Sequence, residues 1–208
     1  MPSPRPTIIF MLKSPRAGFV KTRLAATTGD AVAVDIYQLL VERQLSVLPP
    51  DWPVAVHYAP ADALEEMTGW LKPRRPDLRF VAQCPGDLGS KLTAAVATEF
   101  SRGIGQVLII GGDCPGLDGT ILLQAQAALG GADVVLGPTV DGGYYLLGLR
   151  SPQPSLFRGI AWSTPAVLGQ TRARCEDLGL SRAELPMLED VDDAVAWERA
   201  LAGGRISA

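Results

Sequence analysis

The chain has 208 residues, 47% of them hydrophobic and 20% charged, with a formal net charge of -3 at pH 7. This suits a single globular domain over residues 1–208, with a core large enough to need no disulfide or metal staple. The mild negative charge excludes nucleic acid as a main partner, and no apolar stretch reaches bilayer length, which excludes membrane insertion.

Thr7–Leu12 is nearly all apolar and reads as a buried strand. A basic loop follows. Asp30 is then placed to cap a helix running to Leu48, with Val32, Ile36, Leu39, Leu40 and Val47 on one face, and Pro49 and Pro50 end it. Val54–Tyr58 is a second strand; its His57 lies inside an apolar run and reads as a core or strand-end group. A short helix covers Asp62–Leu71, a proline-marked loop Lys72–Asp77, and a strand Arg79–Ala82. Asp87 opens a helix in which Leu88, Leu92, Val96 and Phe100 recur at helical spacing. Val107–Ile110 reads as a central strand. A helix over Asp118–Leu129 follows, then strands Val134–Leu136 and Tyr144–Leu149. Thr164, with Pro165 behind it, is placed to start a helix to Leu178. Asp193 is placed to cap the last helix, to Leu201.

Strands separated by helices call for right-handed crossovers, hence an α/β fold with a mostly parallel sheet and helices on both faces. Sites in such sheets lie beyond the carboxyl ends of the strands, which directs attention to Lys13–Arg23, Gly111–Leu117 and Pro138–Tyr144. Charge is distributed to match. Every formal charge from Met1 to Gly29 is positive, whereas acids dominate from Glu176 to Asp193. The three cysteines form neither a disulfide framework nor a zinc spacing, and Cys114 is expected to face the interior. Met1–Phe10 shows no signal-peptide pattern, so the expected compartment is the cytoplasm.

The first loop gathers Lys13, Arg16, Lys21 and Arg23 around Ser14 and Gly18. Such cations, with loop amides at a strand's end, can hold a pyrophosphate. The loop is neither a Walker A sequence, since Val20 precedes Lys21, nor a dinucleotide fingerprint. After the central strand, Gly111-Gly112-Asp113-Cys114-Pro115 presents a carboxylate on a defined turn, suited to Mg²⁺ or Mn²⁺. A second carboxylate is required. If Val191 points into the core, Asp190 and Asp192 face the opposite way together, and either can complete the metal shell. Asp141-Gly142-Gly143-Tyr144 is a turn in which two glycines let a substrate approach the backbone, while Asp141 binds an acceptor hydroxyl or acts as general base. Tyr144 and Trp162 are candidates for the acceptor side, and Lys91 for the same cleft.

Taken in order, Ser14-Pro15-Arg16-Ala17-Gly18, Lys21-Thr22-Arg23-Leu24, Gly86-Asp87-Leu88-Gly89, Gly112-Asp113-Cys114-Pro115, Asp141-Gly142-Gly143-Tyr144 and Trp162-Ser163-Thr164 resemble a bacterial family of the nucleotide-diphospho-sugar transferase superfamily, known as arsenosugar-biosynthesis-type glycosyltransferases. The resemblance runs from Ile8 to about Trp197. It departs at Ser90-Lys91, where relatives carry an acidic residue and an arginine. It implies a single-domain, Rossmann-like GT-A fold, nucleotide binding at the first loop and metal binding at Asp113. Three functions follow as expectations. The first is metal-dependent glycosyl transfer from a nucleotide sugar to a small acceptor, with Lys21, Asp113 and Asp141 as catalytic groups. The second is nucleotidylyl transfer to a small phosphorylated acceptor, and the third is nucleotide binding without turnover. A homodimer is compatible with the sequence, which does not select an oligomeric state.

Overall fold

The structure, a computed structural model, describes residues 5–204 and Ile206. Residues 1–4, part of the segment read for a leader, lie outside the described residues. The elements are β1 (Thr7–Lys13), α1 (Thr22–Thr28), α2 (Asp30–Val47), β2 (Val54–Ala59), α3 (Leu64–Leu71), β3 (Arg79–Ala82), α4 (Leu88–Phe100), β4 (Val107–Ile110), α5 (Gly119–Ala128), β5 (Val134–Pro138), β6 (Tyr144–Leu149), a 3₁₀ turn (Pro154–Phe157), α6 (Val167–Asp177), β7 (Arg182–Glu184) and α7 (Ala194–Ala202).

The strands form one sheet in the order β3-β2-β1-β4-β6-β5-β7. All neighbours pair in parallel except β6, which is antiparallel to both β4 and β5. Alternation along the strands sorts side chains onto two faces. Ile8, Phe10 and Leu12 pack with residues of α2, α3 and α5, while Ile9 packs with residues of α4 and α6. Helices thus cover both faces of a Rossmann-like sheet. A third cluster joins Leu24 of α1, Ile36 and Leu40 of α2, Val191, and Ala200 of α7. No helix among the described residues is long and apolar enough to cross a membrane.

Strand order reverses between β1 and β4, since β1 continues to β2 on one side and β4 leads to β6 and β5 on the other. The crevice at the carboxyl ends of β1 and β4 is therefore the topological switch point, where open α/β sheets bind ligands.

Asp87, Asp118 and Asp193 cap α4, α5 and α7, each accepting from the backbone N–H three residues on. His57 and Cys114 are buried, as expected of interior groups, and all three cysteines are free. Three expectations need correction. Gly29, rather than Asp30, occupies the N-cap of α2. Helix α6 starts at Val167 instead of Thr164, because the Thr164 hydroxyl donates back to the Ala161 carbonyl and accepts from the Ala166 N–H, closing a turn of its own. Finally, α1 lies inside the segment read as loop, and β7 adds an unforeseen edge strand.

Candidate active site

The basic loop leaves β1 at Lys13 and returns at Lys21, a non-glycine residue in the left-handed region (φ 46°) just before α1. This bend turns the Lys21 side chain inward. Its Nζ lies 3.1 Å from Asp113 Oδ2 and 3.1 Å from Asp192 Oδ1, with only 6% of the side chain exposed. Burial works to lower the Lys21 pKa, but the charges of Asp113 and Asp192 outweigh it and the net direction is upward. Arg23 donates to the other oxygen of Asp192 at 2.8 Å. Lys21 and Asp113, 92 positions apart in sequence, therefore open onto one crevice.

The surrounding elements brace this contact. From α2, the Tyr37 hydroxyl accepts from the Lys13 N–H (3.0 Å) and donates to the Lys13 carbonyl (2.9 Å). The Gln44 side-chain amide donates to the Gly111 carbonyl. The Val191 N–H donates to the Asp113 carbonyl at 2.9 Å, tying the 190–192 segment to the loop after β4. Val191 is buried in the third core cluster, and Asp190 and Asp192 both line the crevice opposite it.

Two chambers meet here. One, of about 270 Å³, is lined by Lys13, Lys21, Arg23, Tyr37, Asp113 and Asp192, among others. The Lys13 ammonium is depressed below its ordinary pKa by burial and by the nearby charges of Lys91 and Lys21, which puts Lys91 on the same cationic field. The other chamber, of about 390 Å³, is lined by Leu88, Asp141, Gly143, Tyr144, Trp162 and Asp190, among others. Arg23, Asp113 and Asp192 line both. A larger cavity of about 540 Å³ opens near Thr7, Val54 and Arg79, at the amino ends of their strands. Geometry of the fold puts ligands at the other end, so the switch-point chambers are the candidate.

Among the described residues no three His, Cys, Asp or Glu side chains stand together as a ready metal cluster. The Lys21 ammonium sits between Asp113 and Asp192 instead. The donor set still fits a hard divalent cation. The carboxylate Asp190 Oδ1 is buried and meets no hydrogen-bond partner. Burial, then the charges of Asp113, Asp141 and Asp192, push the Asp190 pKa up to about 8 despite Lys21. A buried carboxylate held uncomfortably beside other carboxylates is one that a cation would relieve. Asp113, Asp190 and Asp192 are the residues able to hold it.

Several candidates sit elsewhere. Arg16 donates to Glu66 at 2.9 Å and pairs with Asp62 at 3.3 Å, so its guanidinium is tied beside α3 rather than lining either chamber. Ser14 is fully buried, with its hydroxyl inside the fold. Gly18 adopts a positive φ of 72° but leaves both chambers unlined. The Tyr144 hydroxyl is likewise buried, and its pKa is raised by burial and the neighbouring Cys175; only its ring borders the chamber. Gly142 (φ 88°) makes room for protein, not substrate: a Cβ there would stand 2.3 Å from the Pro165 carbonyl oxygen. Asp141 accepts from Thr139 Oγ1 (2.6 Å) and the Gly143 N–H (3.0 Å) through the same oxygen, Oδ1, which forms the turn and orients the carboxylate. Trp162 does line the second chamber, with its indole nitrogen set against Gly89, where a Cβ would come within 2.7 Å.

Tyr37 and Gln44 join the site unannounced, although polar residues on the inner face of an amphipathic helix are a signal for such a role. Ser163, part of the Trp162-Ser163-Thr164 motif, is held at φ 62° on the rim of the second chamber, a backbone conformation that no sequence signal announces.

The model of the family described as "Uncharacterized protein conserved in bacteria (DUF2064)" matches residues 46–164. No curated protein matches the chain. Among solved structures, a provisionally designated nucleotide-diphospho-sugar transferase from Desulfovibrio desulfuricans G20 is 33% identical. Its TM-score is 0.84, over 91% of this chain and 83% of that one. A 4-diphosphocytidyl-2C-methyl-D-erythritol synthase from Anaerococcus prevotii DSM 20548 is 10% identical, with a TM-score of 0.62 over 96% of each chain. Rv0371c from Mycobacterium tuberculosis H37Rv, in complex with manganese, is 14% identical, with a TM-score of 0.55 over 95% of this chain and 98% of that one. At such identities the last two share the fold alone.

Proposed function

The chain belongs to the bacterial family DUF2064, and from that premise we propose that it is a transferase holding the diphosphate of a nucleotide sugar in the basic chamber and passing the sugar to a small acceptor in the other. The observation that carries this reading is the wall shared by the two chambers, formed by Arg23, Asp113 and Asp192, with Lys21 bonded to both carboxylates from the donor side. A reaction centre requires donor and acceptor to converge on one set of charged groups. The designation of the Desulfovibrio protein supports the same class of chemistry.

Lys13 and Lys91 supply a cationic field for the donor's phosphates, and Lys21 exchanges its carboxylate partners for phosphate oxygens when the donor arrives. Mg²⁺ or Mn²⁺ held by Asp113, with Asp190 or Asp192, would neutralise the charge that grows on the departing diphosphate. Asp141, its Oδ1 fixed by Thr139 and Gly143, is left with Oδ2 to take the proton of an acceptor hydroxyl. Trp162 and Leu88 wall the acceptor. Arg16, Ser14 and the Tyr144 hydroxyl have no part in this scheme.

Nucleotidylyl transfer is the second reading, and the number of cations around the donor chamber favours it. There a phosphorylated acceptor attacks the nucleotide's α-phosphorus, and no base is required. Thermal melting of the purified protein with a panel of UDP-, GDP-, ADP- and CDP-sugars and nucleoside triphosphates, with and without Mn²⁺, separates the two. A ligand at a hundredfold excess over its Kd stabilises by about 2.7 kcal/mol, enough to read clearly. Metal-enhanced stabilisation by a sugar nucleotide is the expected result. Stabilisation by a triphosphate with pyrophosphate release selects the second reading. No response to any nucleotide, with or without metal, refutes both.

A further inference from the structure

We infer that the acceptor is an uncharged or cationic polyhydroxylated molecule with an apolar face, and that phosphorylated or carboxylated acceptors are rejected. The inference rests on the glycosyl-transfer reading above and names the substrate class of its second chamber.

The chamber's lining is one-sided in charge. Four carboxylates face it, those of Asp113, Asp141, Asp190 and Asp192, against one cation, Arg23. That cation is already engaged by Asp192 at 2.8 Å. The Lys21 ammonium, held between Asp113 and Asp192, has 6% of its side chain exposed and lines the donor chamber only. Even with a proton on Asp190, three carboxylates remain. A divalent cation on Asp113 with Asp190 or Asp192 would be taken up by the donor's diphosphate, so an acceptor phosphate would still face Asp141 and the remaining carboxylate, with Arg23 already paired to Asp192, and like-charge juxtaposition is a strong device for rejecting a ligand.

Hydrogen-bonding capacity points the same way. Carboxylates only accept, and Asp190 Oδ1 is a buried acceptor without a partner. Hydroxyl or ammonium donors match that lining; further acceptors do not. Trp162, Leu88 and Val167 add apolar surface to the same lining. Leu88 leaves 41% of its surface exposed at this rim, and Trp162 is fixed in orientation against Gly89. Sugar rings and other polyols with a CH-rich face pack on such apolar surface while their hydroxyls donate to carboxylates.

A matched probe series tests this. Phenyl β-D-glucoside, its 6-phosphate and methyl β-D-glucoside are titrated against the full chain by saturation-transfer difference NMR, without donor. The neutral phenyl glucoside is expected to bind at least about tenfold tighter than its 6-phosphate. Losing the phenyl group, or Trp162→Ala, should weaken binding several-fold. Leu88→Lys adds a cation at an exposed rim position, where folding is not at risk, and should narrow the gap between neutral and phosphorylated probes. Equal or tighter binding of the 6-phosphate overturns the inference, as does an unchanged gap in Leu88→Lys or no binding of any probe. Donor binding is read separately, by the melting response to sugar nucleotides. A normal donor response with preference for the 6-phosphate sinks only this inference, whereas no donor response sinks the transferase reading beneath it.

Discussion

Replacing Lys21 by methionine keeps the length of the side chain and removes the charge that holds the crevice together. Two ion pairs, both at 3.1 Å, vanish. Stripping one partner from a fully buried pair costs about 3–5 kcal/mol, because the remaining charge is left unpaired. Asp113 and Asp192 keep 37% and 32% of their side-chain surface, so water compensates part of that loss. The expected cost is about 2 kcal/mol. For a domain of this size that lowers the melting temperature by about 4–8 °C, at about 2–4 °C per kcal/mol. The variant then has a second signature. With the ammonium gone, Asp113, Asp190 and Asp192 face one another without a counter-charge, and Mn²⁺ alone should stabilise Lys21→Met more than it stabilises the parent protein. Wild-type protein should need a nucleotide to draw Lys21 away before the metal binds well. Calorimetric melting with and without Mn²⁺ measures both effects. An unchanged melting temperature, or Mn²⁺ stabilising the parent more than the variant when no nucleotide is present, refutes the reasoning.

Asp113→Asn should abolish the Mn²⁺-dependent part of any sugar-nucleotide stabilisation, while costing only about 1 kcal/mol in the absence of ligands, as thermal melting would show. Gly142→Ala combines a positive φ of 88° with a Cβ placed 2.3 Å from the Pro165 carbonyl oxygen; a loss of about 2–4 kcal/mol by denaturant titration is expected, with the chamber beside Asp141 and Trp162 disturbed more than the basic one. The buried Glu99 is opposed by burial, yet hydrogen bonds from His57 and Arg79 hold its carboxyl below the ordinary value of 4.5. A depressed folded-state pKa gives stability that is present above about pH 4.5 and fades as pH falls through the folded-state value. Glu99→Gln should therefore cost about 2 kcal/mol near neutrality, and the difference from the parent should shrink in urea titrations carried below pH 4.5.

The sheet was largely legible because its strands are apolar runs bounded by turn residues: Arg79–Ala82, Val107–Ile110 and Tyr144–Leu149 match their expected limits. The capping aspartates announced α4, α5 and α7. By contrast α1 was hidden, since Thr22–Thr28 buries only Leu24 and depends on Lys21 adopting a left-handed bend that no propensity rule assigns to lysine. The three residues β7 contributes to the sheet edge, Arg182-Ala183-Glu184, two of them charged, lacked any strand signature. At the site, the meeting of Lys21 with Asp113, and of Asp190 with Asp192 across a buried Val191, followed from strand ends and period-two alternation. Arg16 did not follow: its neighbours are Glu66 of α3 and Asp62 in the turn before it, and local sequence cannot say which acid a loop arginine will find. Nor could it show that Gly142 serves packing against Pro165, because a glycine that admits a ligand and one that admits a neighbouring backbone are the same letter.

Lys21 and Asp192 are separated by 171 positions, and the backbone link from Val191 to Asp113 is also long-range. Contacts of such long range are among the last to be sampled as a chain condenses. During synthesis the basic loop leaves the ribosome long before Asp192, one of the acids that hold it in place. An incomplete product thus carries Lys21 and Arg23 without their shared partner Asp192, and the crevice is completed in one late step, together with the docking of α7.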